Sequence, residues 1–335
     1  MCASCSSVGY YWQAVNGHAE ILNSEKPIAE VIADNSIRPA VRQKLKQVQA
    51  IRQFASHELA LPDNNSYTQY VDLQRPYALW NVVATPRFSL QPKQWCFLFV
   101  GCMSYRGYYD KHQAETYAES LRVQGYDVMV SGARAYSTLG WFDDPLLSTM
   151  LFKDNARLAG IIFHELAHQR VYKKGFSAFN EAFAMTVEFE GVIKWLAAKN
   201  DTAGIKKYKK EIKHQLEFNQ LLRATREKLN QVYAENIDEE QKGRRKQQIF
   251  AELKHNYQQL KQRWGGDSEY DAWMSQNLNN AFLALVGTYY DDIPYFRKIL
   301  KDNHADFARF YQIVSAMSPA AVHAVKPAGR MVVKE

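Results

Sequence analysis

Apolar residues recur at helical spacing over residues 27–58, first as Ile28, Val31 and Ile32, then as Val41, Leu45, Val48, Ile51 and Phe54. Pro39 suits the first turn of the second, longer helix, and Leu61-Pro62-Asp63-Asn64-Asn65 predicts a loop. Over residues 67–83 and 95–100 the pattern changes to aromatic and β-branched residues interrupted by Pro76, Pro86 and Pro92, which predicts strands of a small sheet with edge positions. Ala114, Tyr117, Ala118 and Leu121 mark a helix over 111–124 that Gly125 stops, and residues 126–130 read as a strand. Residues 135–139 are a second extended segment, and Asp144-Pro145 has the composition of a helix start.

The pattern predicts a helix over 154–174, with Leu158, Ile162 and Leu166 as one stripe and Ile161, His164, Glu165, His168 and Tyr172 beside it. Gly175 ends that helix, and Ser177 is placed to cap the next, over 178–199. So short a connection makes the two helices antiparallel. Residues 204–265 then predict a helical hairpin, broken near Asn236 and closed at Gly265-Gly266, and further helices follow from Asp271. The fold class is α+β and predominantly helical, with a small mixed sheet and a long helical hairpin. Its divisions are an N-terminal tail over 1–20, a catalytic region over 21–203, the hairpin over 204–265, helices over 266–320 that complete the catalytic region, and a tail over 321–335.

Composition adds limits. The chain has 335 residues, 47% hydrophobic and 23% charged, which is enough for a full-size core. No apolar run is long enough to span a bilayer. The hairpin carries 15 Lys and Arg against 8 Asp and Glu, a surplus of seven that equals the net charge of the whole chain. A solvated structural arm is its plain reading, and contact with anionic lipid or an acidic partner the sharper one. Lys242-Gly243-Arg244-Arg245-Lys246 is too short and isolated to argue for nucleic acid. Cys96 and Cys102 flank an apolar run and fit two buried thiols, with a short-range disulfide as the alternative.

The candidate chemistry lies in His164-Glu165-Leu166-Ala167-His168. Histidines four apart share one helix face and can hold one metal ion, and the intervening glutamate can work on water at that ion. A decoy at His57-Glu58-Leu59-Ala60-Leu61 has the first histidine only. A catalytic zinc site needs a third protein ligand. Val171 and Lys174 occupy the places where a glycine and a third histidine would stand, so the third ligand is sought on the following helix, where Asn180-Glu181-Ala182-Phe183-Ala184 supplies Glu181. The bland alternative for Glu181 is compensation of the helix dipole in the first turn. Glu188, two turns further on, is placed with Asn180 behind the ligands rather than among them.

These elements resemble the gluzincin metallopeptidases. Asn180 to Ala184 is similar to the element carrying the third ligand in zinc aminopeptidases of the alanyl aminopeptidase type, although the link from the histidines is shorter here. The Gly-x-Met-Glu-Asn element of those enzymes has no match. A resemblance over most of the chain is to bacterial proteins described as predicted aminopeptidases, often lipoproteins. It rests on Cys5-Ser6-Ser7-Val8-Gly9-Tyr10-Tyr11, Tyr105-Arg106-Gly107-Tyr108-Tyr109, Ala135-Tyr136-Ser137-Thr138-Leu139-Gly140-Trp141-Phe142, the metal elements and Asn279-Asn280-Ala281.

The resemblance implies a zincin-like core and a periplasmic peptidase binding one Zn²⁺ through His164, His168 and Glu181. Glu165 is then the base for the attacking water. Tyr289 and Tyr290 are candidates to hold the oxyanion. Tyr136, Ser137, Thr138 and Leu139 are a strand for the extended peptide, and Arg106 either meets a substrate carboxylate or pairs within the fold. Met1-Cys2-Ala3-Ser4-Cys5 resembles a lipoprotein start without its signal peptide, making Cys2 or Cys5 a lipid anchor to the membrane, with a cytoplasmic tail as the alternative. Aminopeptidase action is the expectation. An envelope endopeptidase, or a non-catalytic metal-bearing scaffold acting through its helical arms, are the alternatives.

Overall fold

The computed structural model describes residues 3–97, 101–135, 143–151, 154–285 and 292–319, and the backbone alone for 3–8 and 285. The architecture is α+β and 63% helical, with small sheets. The chain begins with α1 (Ala3–Asn23), β1 (Lys26–Pro27), α2 (Ile28–Ala33) and α3 (Pro39–Leu59), with Pro39 in the first turn of α3 as its fixed φ favours. Helix α1 occupies the span expected to be a tail. Its Ile21 is buried, and a Cβ on Gly17 would overlap the Tyr109 ring, so its C-terminal half packs closely on the body.

The strands are short: β2 (Gln69–Val71), β3 (Leu79–Thr85), β4 (Trp95–Phe97), β5 (Gly101–Met103) and β6 (Arg106–Tyr108). Helix α4 (Lys111–Val123), β7 (Asp127–Ala133) and β8 (Leu146–Leu147) follow. Strand β3 is central, with β6 and β7 antiparallel on either side. Its side chains alternate as the pleat requires. Val82 and Ala84 face α4 through Ala114, Ala118 and Leu121, whereas Val83 and Met129 point the other way.

That second face is covered by α10 (Asn280–Leu285), through Ala281, Phe282 and Leu283, and the basic hairpin, α7 (Thr202–Ala234) and α8 (Glu239–Arg263), joins the same apolar cluster through Phe218, Leu222, Leu229, Phe250, Leu253 and Tyr257. The hairpin is therefore part of the core packing and not a solvated arm, and one of its charges, Lys246, turns inward to pair with Asp127 at the start of β7. The first residues of α7, Tyr208 and Ile212, join the main helical core instead.

Two other expectations change. Cys96 and Cys102 are exposed and joined as a disulfide across the β4–β5 pair, where the register sets them directly opposite each other. Asp144-Pro145 opens no α-helix. The Asp144 carbonyl accepts the Tyr67 N–H at 2.7 Å, proline holds the preceding residue extended, and β8 pairs parallel with β2 before a 3₁₀ turn over Ser148–Met150.

The main core is helical. Helix α6 (Ser177–Ala198) runs through its middle, buried on nearly all sides, with α5 (Asn155–Arg170) and α3 against it. The later elements are α9 (Asp271–Met274), α10 (Asn280–Leu285), α11 (Ile293–Asp302) and α12 (Phe307–Ala316). Phe183 of α6 packs against Phe296, Phe310 and Tyr311 of the last two. Among the described residues no helix is long and apolar enough to cross a membrane.

Helix α5 starts at a polar cap. Asp154 Oδ1 accepts the Arg157 N–H at 2.7 Å, and Oδ2 accepts from Lys207 Nζ at 3.0 Å. Burial pushes the Asp154 carboxyl up, but these bonds outweigh it and hold it below its usual value. Asp154→Ala is expected to cost about 1 kcal/mol of stability. Because the folded group titrates lower than the unfolded one, this contribution is present above the unfolded value near 3.8 and is lost as pH falls through the folded value. The gap in melting temperature between wild type and variant should therefore be full at pH 7 and shrink in acid. A gap that stays constant to pH 3 would remove Asp154 from this role.

Candidate metal centre

Helix α5 stops at Arg170, four residues before the predicted end. Val171 is extended and buried, which pulls the chain off the helical path. The connection is fixed by Asn180, whose Oδ1 accepts the Lys173 N–H and whose Nδ2 donates to the Lys173 carbonyl, both at 2.8 Å. Asn180 is thus a brace for the turn, and it touches neither histidine through a hydrogen bond. Phe176, not Ser177, sits at the cap position of α6, without a side-chain bond.

The two helices run antiparallel, so positions late in α5 meet positions early in α6. His168 Nε2 lies 3.5 Å from Glu181 Oε1, and His164 Nε2 lies 3.4 Å from Glu181 Oε2. The two Nε2 atoms are 3.1 Å apart. Glu181 opens the second turn of α6, whose first turn holds no acid, so dipole compensation does not account for it.

One turn deeper, His164 Nδ1–H donates to Glu188 Oε2 at 3.0 Å. A carboxylate can only accept, so this bond places the proton on Nδ1 and turns the Nε2 lone pair towards His168 and Glu181. Room for Glu188 comes from Gly160, where a Cβ would lie 3.1 Å from Glu188 Oε1 and 3.2 Å from its Cγ. Glu188→Ala is expected to weaken binding of a divalent metal ion by this group about 10–100-fold, measured by competition with a chromophoric chelator. An affinity within twofold of wild type would show that His164 needs no such support.

These three residues form a group able to hold a metal ion, with one donor atom from each within 4.8 Å of the others. Their separations fit a small tetrahedral ion: ligands about 2.0–2.1 Å from zinc stand about 3.3 Å apart along a tetrahedral edge. The donor chemistry fits too. Two imidazole nitrogens and a carboxylate converge on one point, an arrangement that calls for a cation. In the metal-free protein a proton serves. Burial works against charge on His164, but the bonds from Glu181 and Glu188 raise it well above its ordinary value. Burial and the neighbouring His164 push His168 down to about 4. Burial raises the Glu181 carboxyl, and the bond to His164 more than reverses this. His168 Nδ1 is buried with no hydrogen-bond partner among the described residues, so packing orients that ring.

Glu165 is half-buried beside His164. Tyr105, in the short link before β6, is electrostatically coupled to Glu165, Glu181 and Tyr172, and burial raises its hydroxyl pKa. Tyr67, from the loop after α3, is coupled to Glu165 from within the core. The sequence pattern did not single out either tyrosine for the site. Arg106 lies over the rings of Tyr10 at 4.0 Å and Tyr117 at 4.4 Å, which is the in-fold alternative of its two expected roles. The decoy histidine, His57, is exposed in the last turn of α3. Tyr136, Ser137, Thr138, Leu139, Tyr289, Tyr290 and Cys2 lie outside the described residues, as does the Cys5 side chain.

A family model described as "Putative aminopeptidase" matches residues 9–325. The chain belongs to this family. The match takes in both metal-bearing helices, the sheet and the hairpin together. No curated protein and no solved structure matches the chain.

Proposed function

We propose that this chain is a zinc aminopeptidase of the gluzincin type, with a zincin-like core. The observation that carries the reading is the convergence of His164, His168 and Glu181 at tetrahedral spacing, with Glu165 next to the first histidine. When bound, one zinc ion polarises the scissile carbonyl and makes water acidic enough to attack near neutral pH.

The chain's own residues do the rest. His164 Nε2, His168 Nε2 and a Glu181 oxygen hold the ion, and Glu188 keeps His164 in the tautomer that can do so. Glu165 takes a proton from the attacking water and delivers it to the leaving amine. Tyr105, kept protonated by burial, donates a hydrogen bond from its O–H to the oxyanion as it forms.

The choice of amino-terminal action draws on the family description. A free amine at the cut end is its chemical signature. Mass spectrometry of a peptide set offered free and N-acetylated is expected to show stepwise loss of first residues from the free peptides only. Equal cleavage within the acetylated peptides would make the chain an endopeptidase instead. For location we propose the periplasm, with attachment to the membrane through a lipidated Cys2 or Cys5. The exposed Cys96–Cys102 disulfide supports an oxidising compartment.

A further inference from the structure

Among the seven described positions where a large apolar side chain is exposed, three fall within five residues of α1: Tyr11 at 40%, Trp12 at 70% and Val15 at 64%. The helix is not loose there, because its other face is fixed to the sheet. Tyr10 stacks on Phe97 with ring centroids 5.3 Å apart and meets Tyr108 edge-on at 5.5 Å. The Gln13 side chain donates to the Gly107 carbonyl at 3.3 Å and accepts the Tyr109 N–H at 3.1 Å, so it occupies the outer edge of β6. Gly17 lies against the Tyr109 ring, and Ile21 is buried. Tyr10, Gln13, Gly17 and Ile21 make one helical stripe, and at 3.6 residues per turn Trp12 and Val15 stand on the opposite side, facing out.

Two features say what covers this face. From Met1 to Ala19 the chain has no Asp, Glu, Lys or Arg, although 23% of the whole chain is charged. A helix that faced only water would carry charge on its outer side. The charged groups at the rings beneath it are arginines: Arg106 lies 4.0 Å from the Tyr10 ring, and Arg75 lies 5.8 Å from the Tyr109 ring on which Gly17 rests. An outer face of tryptophan, tyrosine and valine without charge, above a base of positive charge, matches the layer between lipid phosphates and acyl chains. We propose that the outer face of α1 is a membrane-docking surface, on which Trp12, Val15 and Tyr11 enter the headgroup layer of a lipid bilayer while the helix lies along it. The helix itself makes this contact, so the proposal rests neither on acylation of a cysteine nor on the peptidase reading.

The test uses the full chain without an acyl group, and sedimentation with sucrose-loaded vesicles gives its partition coefficient. Wild type should bind phosphatidylcholine vesicles, and should still bind them when salt is raised from about 0.1 M to about 1 M, because the contact is apolar rather than ionic. The double variant Trp12→Ala/Val15→Ala should partition at least about 10-fold more weakly. Both side chains are exposed, so its melting temperature should stay at the wild-type value. Vesicles with brominated acyl chains supply a second measurement: they should quench part of the wild-type tryptophan fluorescence, and Trp12→Phe should bind but lose that quenching. This result decides alone if the double variant melts lower. No binding to phosphatidylcholine, or equal quenching in wild type and Trp12→Phe, overturns the proposal. Binding that requires phosphatidylglycerol and disappears in about 1 M salt also overturns it, and moves the contact to the basic hairpin. A wild-type dimer in light scattering that becomes a monomer in the double variant overturns it too, and makes the face an interface between copies. None of these outcomes bears on zinc binding or peptide cleavage, which are measured separately.

Discussion

Glu165→Gln is expected to lower kcat/KM on peptides by about 10²–10⁴-fold, the range over which a positioned proton acceptor contributes. The amide keeps the size of the side chain and removes its basicity. Its neighbour His164 keeps the bond to Glu188 at 3.0 Å and its contact with Glu181 at 3.4 Å. Zinc content and melting temperature should therefore remain at wild-type values. Loss of metal together with activity would make Glu165 a structural partner of the site rather than its base. Tyr105→Phe is the companion variant. Removing one oxyanion donor should cost about 10²–10³-fold in kcat, with KM little changed. A variant as active as wild type would return that role to a tyrosine elsewhere.

Removing the ion is expected to destabilise the protein as well as silence it. An ion bound only by the folded state contributes about 4 kcal/mol when its free concentration is 1,000 times its dissociation constant. Chelation should therefore lower the melting temperature by several degrees, and zinc should restore it. His168→Ala leaves His164 and Glu181 without their third partner, and its melting temperature should not respond to chelator. A chelator effect of equal size in wild type and His168→Ala would show that the ion sits elsewhere. In the metal-free protein the converging donors share a proton, so stripped protein should also rebind zinc more weakly as pH falls.

Much of this architecture is local and could be read in the chain. Helices α3, α4 and α8 follow their apolar spacing, and the hairpin breaks where Asn236 and the paired glycines interrupt it. The failures come from pairings that apolar spacing does not show. Asp144-Pro145 has the chemistry of a helix start, but its carbonyl is taken by Tyr67, far away in sequence. The apolar run between Cys96 and Cys102 suggested buried thiols, but the pairing of β4 with β5 exposes both and joins them. The surplus charge of the hairpin suggested a solvated arm, because its net charge says nothing of the apolar stripe that joins the core.

Tyr105 shows a different limit. It stands in Tyr105-Arg106-Gly107-Tyr108-Tyr109, one of the elements that carry the family resemblance, but nothing there gives it a role among 20 tyrosines, and only the tertiary structure sets it within the electrostatic influence of Glu165. Gly160 did leave a trace. A glycine inside a strong helix pattern costs about 1 kcal/mol relative to alanine, which signals a close approach that the sequence cannot name.

The sequence by itself determined that His164 and His168 share a helix face with Glu165 between them, because 3.6 residues per turn leaves no choice. It also determined that a short turn would return Glu181 to the same neighbourhood. The tertiary structure decided what the residues do to one another: the spacing of three donors, and the carboxylate of Glu188 behind His164 in the space left by Gly160. Helical periodicity is set within a few residues of chain, whereas a hydrogen bond between two helices depends on how closely their backbones can approach.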